Sequence, residues 1–258
     1  MTAFINMVCI AFPYNIIGCA TEPDYFDYSA RFFRNDLSTV KGYHPFYFIN
    51  DQFLYEATEP NDLPYAVSGE WIDYCKSNIS LKEAYAFVCG FPYEDIEKLY
   101  DGIAGGKPFT MPASLRNNSM AKYFARSKDI EGLDCLLFAR VASGYYGSEG
   151  DGWDVPSGDE PLMDSLIKSG LHTYAHTKKE FIRARYAYQL TRLAFYNNHL
   201  ADCARYYEMV KNNPSAGVLR NLSLSLKAGA LLKMGKKKEA AYHYSLAFSR
   251  STLRRRSN

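Results

Sequence analysis

Residues 192–207, "RLAFYNNHLADCARYY", and residues 229–244, "GALLKMGKKKEAAYHY", decide how this chain folds. A shift of 37 positions lays Asp202, Cys203, Ala204 and Tyr207 over Glu239, Ala240, Ala241 and Tyr244. The same shift sets Ala194 and Phe195 over Leu231 and Leu232. Each stretch ends one apolar helix, breaks, and resumes with small residues that let a second helix pack closely. Such pairs cannot bury their apolar faces alone, so each relies on a neighbour.

A small-residue second helix is how a tetratricopeptide unit brings its helices together. The usual period there is about 34 residues, so a 37-residue period describes a lengthened relative. Around the two stretches, "KEFIRARYAYQLTRLAFYNN" and "HLADCARYYEMVKNNP" form one pair, "PSAGVLRNLSLSLKAGALLKMG" and "KKKEAAYHYSLAFSRS" the next. Just upstream, Leu162, Met163, Leu166, Ile167, Leu171 and Tyr174 stripe another helix. Earlier still, Ser68 is placed to cap a helix carrying Trp71, Ile72 and Cys75 on one face. Ser80 and Glu83 make a capping box for "LKEAYAFVCG", which Gly90 stops. Pro92, Glu94 and Asp95 open the following helix, and two more are expected at 118–128 and 130–146. The expected fold is all-α: a right-handed, TPR-like solenoid of antiparallel helix pairs over residues 67–258.

Residues 19–66 read differently. "PDYFDYSARFF", "GYHPFYFIN" and "DQFLYEATEPNDLPY" are dense in Tyr and Phe and broken by Pro23, Pro45, Pro60 and Pro64. They form an irregular aromatic-rich arm, expected to pack across the first helices and close their apolar face.

Residues 1–18 carry no charge, and "AFINMVCIAF" supplies an apolar core of signal-peptide length, too short to span a bilayer. Ile16, Ile17 and Gly18 before Cys19 match a bacterial lipobox, which makes Cys19 the lipid attachment site. The basic residue that usually begins such a signal is missing. "CATEPDYFDY", "GYHPFYFINDQFLYE", "GLDCLLFAR", "RYAYQLTRLAFY" and "LSLKAGALLKMGKKKEAAYHYSLAF" together resemble uncharacterised helical-repeat (TPR-like) lipoproteins of Gram-negative bacteria. The resemblance covers nearly the whole chain from Cys19 and implies an outer-membrane lipid anchor. It implies no catalytic residues. Proteins of that family run longer, so the chain is expected to be an N-terminal portion.

Charge narrows the partners. Residues 220–258 hold ten Lys/Arg against Glu239 alone, a local +9, while the remainder is −7. The tail "RSTLRRRSN" interleaves no aromatic residues with its arginines, so no nucleic-acid partner is expected. None of the six cysteines lies in a CxxC pair; Cys75, Cys89, Cys135 and Cys203 are expected as buried reduced thiols. In "HTYAH", Thr173 stands where a zinc protease needs Glu, and His172 with His176 lack a third ligand. "AGGKPFT" lacks the phosphate-loop spacing. Glu149, Asp151, Asp154 and Asp159 could ligate Ca²⁺, yet without EF-hand spacing they read as a solvated connection. No cofactor, metal or small-molecule substrate is expected.

Arg183, Arg185 and Arg192, interleaved with Tyr188, Tyr206 and Tyr207, are residue types that dominate binding hot spots. They are the candidate partner-binding residues; the competing reading has the tyrosines filling the layer between helices while the arginines reach outward. The function this supports is a non-enzymatic envelope scaffold that binds a protein or peptide. The alternative is a cell-envelope glycan-binding protein or glycoside hydrolase, using the aromatic arm and the acidic loop at 149–160.

Overall fold

The computed structural model describes residues 62–106, 108–144 and 160–249, all within the unit Asn61–Asn258. Cys19, the signal segment, the arm up to residue 61, the acidic residues Glu149, Asp151, Asp154 and Asp159, and the tail from Arg250 lie outside them. Among the described residues the fold is all-α: ten α-helices, one π turn, two 3-10 turns and no strand.

The first helix, α1 (Asp62–Cys75), begins earlier than the Ser68 cap expected from sequence. Ser68 is instead buried inside it, its hydroxyl donating to the Pro64 carbonyl at 2.6 Å. A serine can satisfy itself this way within a helix, which is why its cap signal misleads. Trp71 and Cys75 do share the buried face. Helix α2 (Leu81–Tyr85) carries the expected Ser80 cap and passes directly into a π turn (Ala86–Gly90). Its buried stripe runs through Ala84 and Phe87, so Cys89 stands exposed rather than in the core, a correction to the expected buried thiol. The π-turn carbonyls of Phe87 and Val88 accept from Arg140 at 2.9 and 3.1 Å, and that of Phe91 accepts from the same guanidinium.

Helix α3 (Tyr93–Ala104) starts after Pro92 with Glu94 and Asp95 in its first turn, as the macrodipole favours. Asn118 caps α4 (Ser119–Ser127), and its amide also donates to the Glu83 carbonyl at 2.8 Å. Glu83 bridges the starts of α2 and α4, accepting from Ser80 at 2.6 Å and from the Ser119 amide at 3.1 Å. Asp129 caps α5 (Ile130–Ser143). Then come α6 (Glu160–His176), α7 (Glu180–Tyr196), α8 (Leu200–Lys211), α9 (Leu219–Lys233) and α10 (Lys237–Ser249).

Helices α3, α5, α7 and α9 pack one against the next, while α6 lies on α7, α8 against α7 and α9, and α10 against α9. Helix α7 is therefore enclosed: Ile182, Ala184, Arg185, Tyr186, Ala187, Gln189, Leu190, Thr191, Leu193 and Ala194 are all buried. A helix buried on nearly every side shows little amphipathic contrast.

The 37-residue register recurs in the backbone. Asn198, at φ 58°, and Gly235, at φ 77°, are the left-handed residues that end α7 and α9. The His199 amide donates to Ala194 at 2.8 Å, and the Lys236 amide to Leu231 at 2.9 Å. One residue earlier, Asn198 bonds Phe195 and Gly235 bonds Leu232, so both turns are Schellman motifs with identical spacing. Burial follows the same register at Leu193/Ala230, Ala194/Leu231, Cys203/Ala240 and Val210/Ala247.

Candidate functional site

Three of the six candidate binding residues, Arg185, Tyr206 and Tyr207, are buried. Arg185 is buried at 5% exposure, its guanidinium 2.6 Å from Glu70 Oε2 on α1. It also donates to the Ser215 carbonyl at 3.0 Å and lies over the Phe181 ring at 3.3 Å. The other Glu70 oxygen accepts the Val218 amide at 2.7 Å, so one ion pair fastens α1 to the turn between α8 and α9. Gly217 is required there: φ is 51°, and a Cβ would sit 1.8 Å from Glu70 Oε1. Burial pushes the Arg185 guanidinium down to about 10, with the Glu70 charge opposing. Tyr206 and Tyr207 are buried too, with Arg205 5.1 Å above the first ring and Lys227 4.6 Å above the second. Tyr188 is half-buried, and burial raises its phenol pKa against the pull of nearby Arg192, itself half-buried.

Arg183 faces outward. It lies over the Tyr174 ring at 4.8 Å, donates to the Tyr174 hydroxyl at 3.3 Å and pairs with Glu180 at 3.1 Å. Those contacts, the Tyr174 hydroxyl first, hold its guanidinium in the charged form. Around it Tyr174, Glu180, Glu208, Met209, Asn212 and Asn213 line an open cleft of about 410 Å³ where the ends of α6, α7 and α8 meet. The walls offer donors, acceptors and an apolar ring, a mixture suited to a peptide's amides and side chains.

A second cluster, around Asp129, was not signalled by the sequence. Tyr74 donates to Asp129 Oδ2, while Oδ1 receives the Gly132 amide at 3.1 Å and Lys179 at 2.5 Å. A cleft of about 530 Å³ opens beside them, lined also by Tyr123 and Glu131. Burial, then the Asp129 hydrogen bond, drives the Tyr74 phenol far above its usual range. A phenol so disfavoured as an anion is the opposite of a base poised near neutral pH. Tyr74 stacks on Phe181 at 4.5 Å and Lys179 follows the α6–α7 turn, so the trio ties α1, α5 and α7 together.

The two imidazoles of His172 and His176 lie 4.2 Å apart, with His176 Nδ1 against the His172 carbonyl at 2.7 Å. Among the described residues no group of three or more His, Cys, Asp or Glu is arranged to hold a metal. Asp95 accepts from Ser114, in the 3-10 turn Ala113–Leu115, at 2.6 Å, and Glu97 from Tyr93 one helical turn back at 3.1 Å. No described helix is long and apolar enough to cross a membrane. No family model, no curated protein and no solved structure matches this chain.

Proposed function

We propose that this chain is a non-enzymatic envelope lipoprotein that holds a protein or peptide partner. In this reading its TPR-like helix pairs stack as a right-handed solenoid, and lipid at Cys19 anchors it to the bacterial outer membrane. The observation that carries the reading is the repeated turn: α7–α8 and α9–α10 end and restart with the same hydrogen bonds 37 residues apart. Repeated pairs build extended surfaces, and such surfaces serve recognition more naturally than they concentrate reacting groups. The cleft at Arg183, with Tyr174, Met209 and Asn212 around it, is the part of that surface assigned to the partner.

Affinity capture from membranes tests it, with the bound proteins identified by mass spectrometry. Arg183→Ala together with Asn212→Ala is expected to deplete one specific protein or peptide while leaving the thermal melt unchanged. An unchanged capture profile overturns the cleft assignment. Incorporation of labelled palmitate is expected in the native chain and absent in Cys19→Ala; label that persists in the variant defeats the anchor.

A further inference from the structure

The C-terminal end of α6 carries two imidazoles on one side of the helix. His172 and His176 are four residues apart, the spacing that sets side chains one above the other on a helix face. Their ring centroids stand 4.2 Å apart with 31° between the planes, and both residues are exposed. His176 Nδ1 lies 2.7 Å from the His172 carbonyl oxygen, which can only accept. That nitrogen therefore carries the proton, and the lone pair of Nε2 is left for another partner. An imidazole whose one nitrogen donates to a backbone carbonyl is oriented as metal-ligating histidines are, with the other nitrogen as the ligand.

The position on the helix acts in the same direction. Partial negative charge gathers at the C-terminal end of a helix and favours cations there, and His176 is the last residue of α6. Of the two lysines that follow, Lys179 is held by Asp129 at 2.5 Å and by Glu131 at 3.8 Å, while Lys178 is exposed to solvent. A metal lies about 2.0–2.1 Å from an imidazole nitrogen, so two nitrogens that share one ion stand about 3 Å apart. Exposed rings 4.2 Å apart reach that separation by turning about their own side-chain bonds. Zinc enzymes hold their ion through three protein ligands; two imidazoles completed by water make a weaker, open site.

We infer that His172 and His176 form a two-imidazole chelate for a transition-metal dication. Nitrogen donors select Ni²⁺, Zn²⁺ and, most strongly, Cu²⁺, whereas Mg²⁺ and Ca²⁺ take oxygen. The bound ion joins residues one turn apart and so braces the end of α6. His243 supplies an internal comparison. Its Nδ1 makes the same contact with the Glu239 carbonyl at 2.9 Å, but the side chain four residues before it is a carboxylate, not a second imidazole. The chelate is separate from the reading of the chain as a scaffold, so either can fail alone.

Isothermal titration of the tag-free full chain with Ni²⁺ tests it; Cu²⁺ is avoided because it would oxidise the exposed Cys89 thiol. His172→Ala and His176→Ala are each expected to weaken Ni²⁺ binding at least about tenfold, since either change removes the second, intramolecular contact. Both positions are exposed, so the variants should keep the native helix content by circular dichroism. His243→Ala should leave the affinity unchanged. Saturating Ni²⁺ should raise the thermal midpoint of the native chain and not that of the two variants. Ni²⁺ that binds no more tightly than Mg²⁺ overturns the inference. Affinity that both single variants retain, or that His243→Ala lowers equally, overturns it too, as does a thermal shift of equal size in every chain.

Discussion

The helices α1–α5 and the pairs α7–α10 solve the packing problem in opposite ways. The first group encloses large rings: Trp71, Phe87 and Phe124 are fully buried, with Phe87 stacked on Phe124 at 5.4 Å and Trp71 edge-on to it. Rings of that size leave irregular gaps, and polar clips close the gaps one by one. Arg140 binds the π-turn carbonyls, Asn118 the Glu83 carbonyl, and Asp129 both Tyr74 and Lys179. The pairs instead bury many small residues, Ala184, Ala187, Ala194, Ala228, Gly229, Ala230 and Ala240. They add clips of their own, such as Asn213 to the Glu180 carbonyl and Lys227 to Glu208. The contrast teaches that repetition here rests on small residues, whereas the first group is built around large rings.

The most severe test of that contrast is Trp71→Ala. It removes the ring that meets Tyr74, Phe124 and Phe181, and a drop of about 3–5 kcal/mol in urea-unfolding stability is expected. A loss below about 1 kcal/mol would mean that the rings do not hold this region together.

Arg185→Met comes next, because it breaks the tie between the two regions. Glu70 would keep the Val218 amide and its partial exposure, so a loss of about 3 kcal/mol is expected, at the low end for a broken buried pair. Adding Glu70→Gln should recover part of it, since the uncompensated charge is then gone. A double variant no better than the single one would show the pair to be ordinary packing.

Alkaline unfolding probes both regions together at smaller scale. Burial pushes the thiols of Cys75, Cys135 and Cys203 up to about 12 from an ordinary 9.0. The folded chain then retains protons that the unfolded chain releases, so stability is full below pH 9 and falls as pH rises toward 12. Arg185, lowered to about 10, acts in the opposite sense above that pH. The three thiols, together with the raised phenols of Tyr74, Tyr186 and Tyr188, outweigh it, so the fall continues above pH 10. Cys203→Ala copies the residue at position 240 in the second pair. It should remove one thiol's share of the slope, read from denaturant melts across that range.

The smallest expected effect is also the most specific to the repeat. Asn198→Gly copies the other Schellman turn, and a gain of about 0.5 kcal/mol follows from relieving an L-residue at φ 58°. A marked destabilisation would mean that the two turns share hydrogen bonds without sharing a strain.

Much of the pairing was legible because its signals are local. The Ser80 cap and the Asn118 and Pro92 starts depend on residues within a turn of one another, and the 37-residue register shows as a match between two stretches of the chain. Ser68 misled because the same hydroxyl that caps a helix also satisfies itself inside one. The candidate binding set was legible only as residue types. Arg183 and Arg185 look alike in sequence two positions apart, yet one faces the cleft and the other is sunk beneath α1. Nothing in the text of the chain distinguishes them, because their difference is made by Glu70, 115 residues away.

What the amino-acid sequence determined alone is the all-α character, the helix starts at Ser80, Pro92 and Asn118 and the 37-residue period, since propensity, capping and small-residue spacing act over one or two turns. Only the tertiary structure decided which faces are closed. It put Glu70 under Arg185 and Asp129 between Tyr74 and Lys179. The reason is physical: burial depends on what comes to lie across a helix, and that neighbour is chosen by the packing of the whole rather than by the residues beside it in the chain.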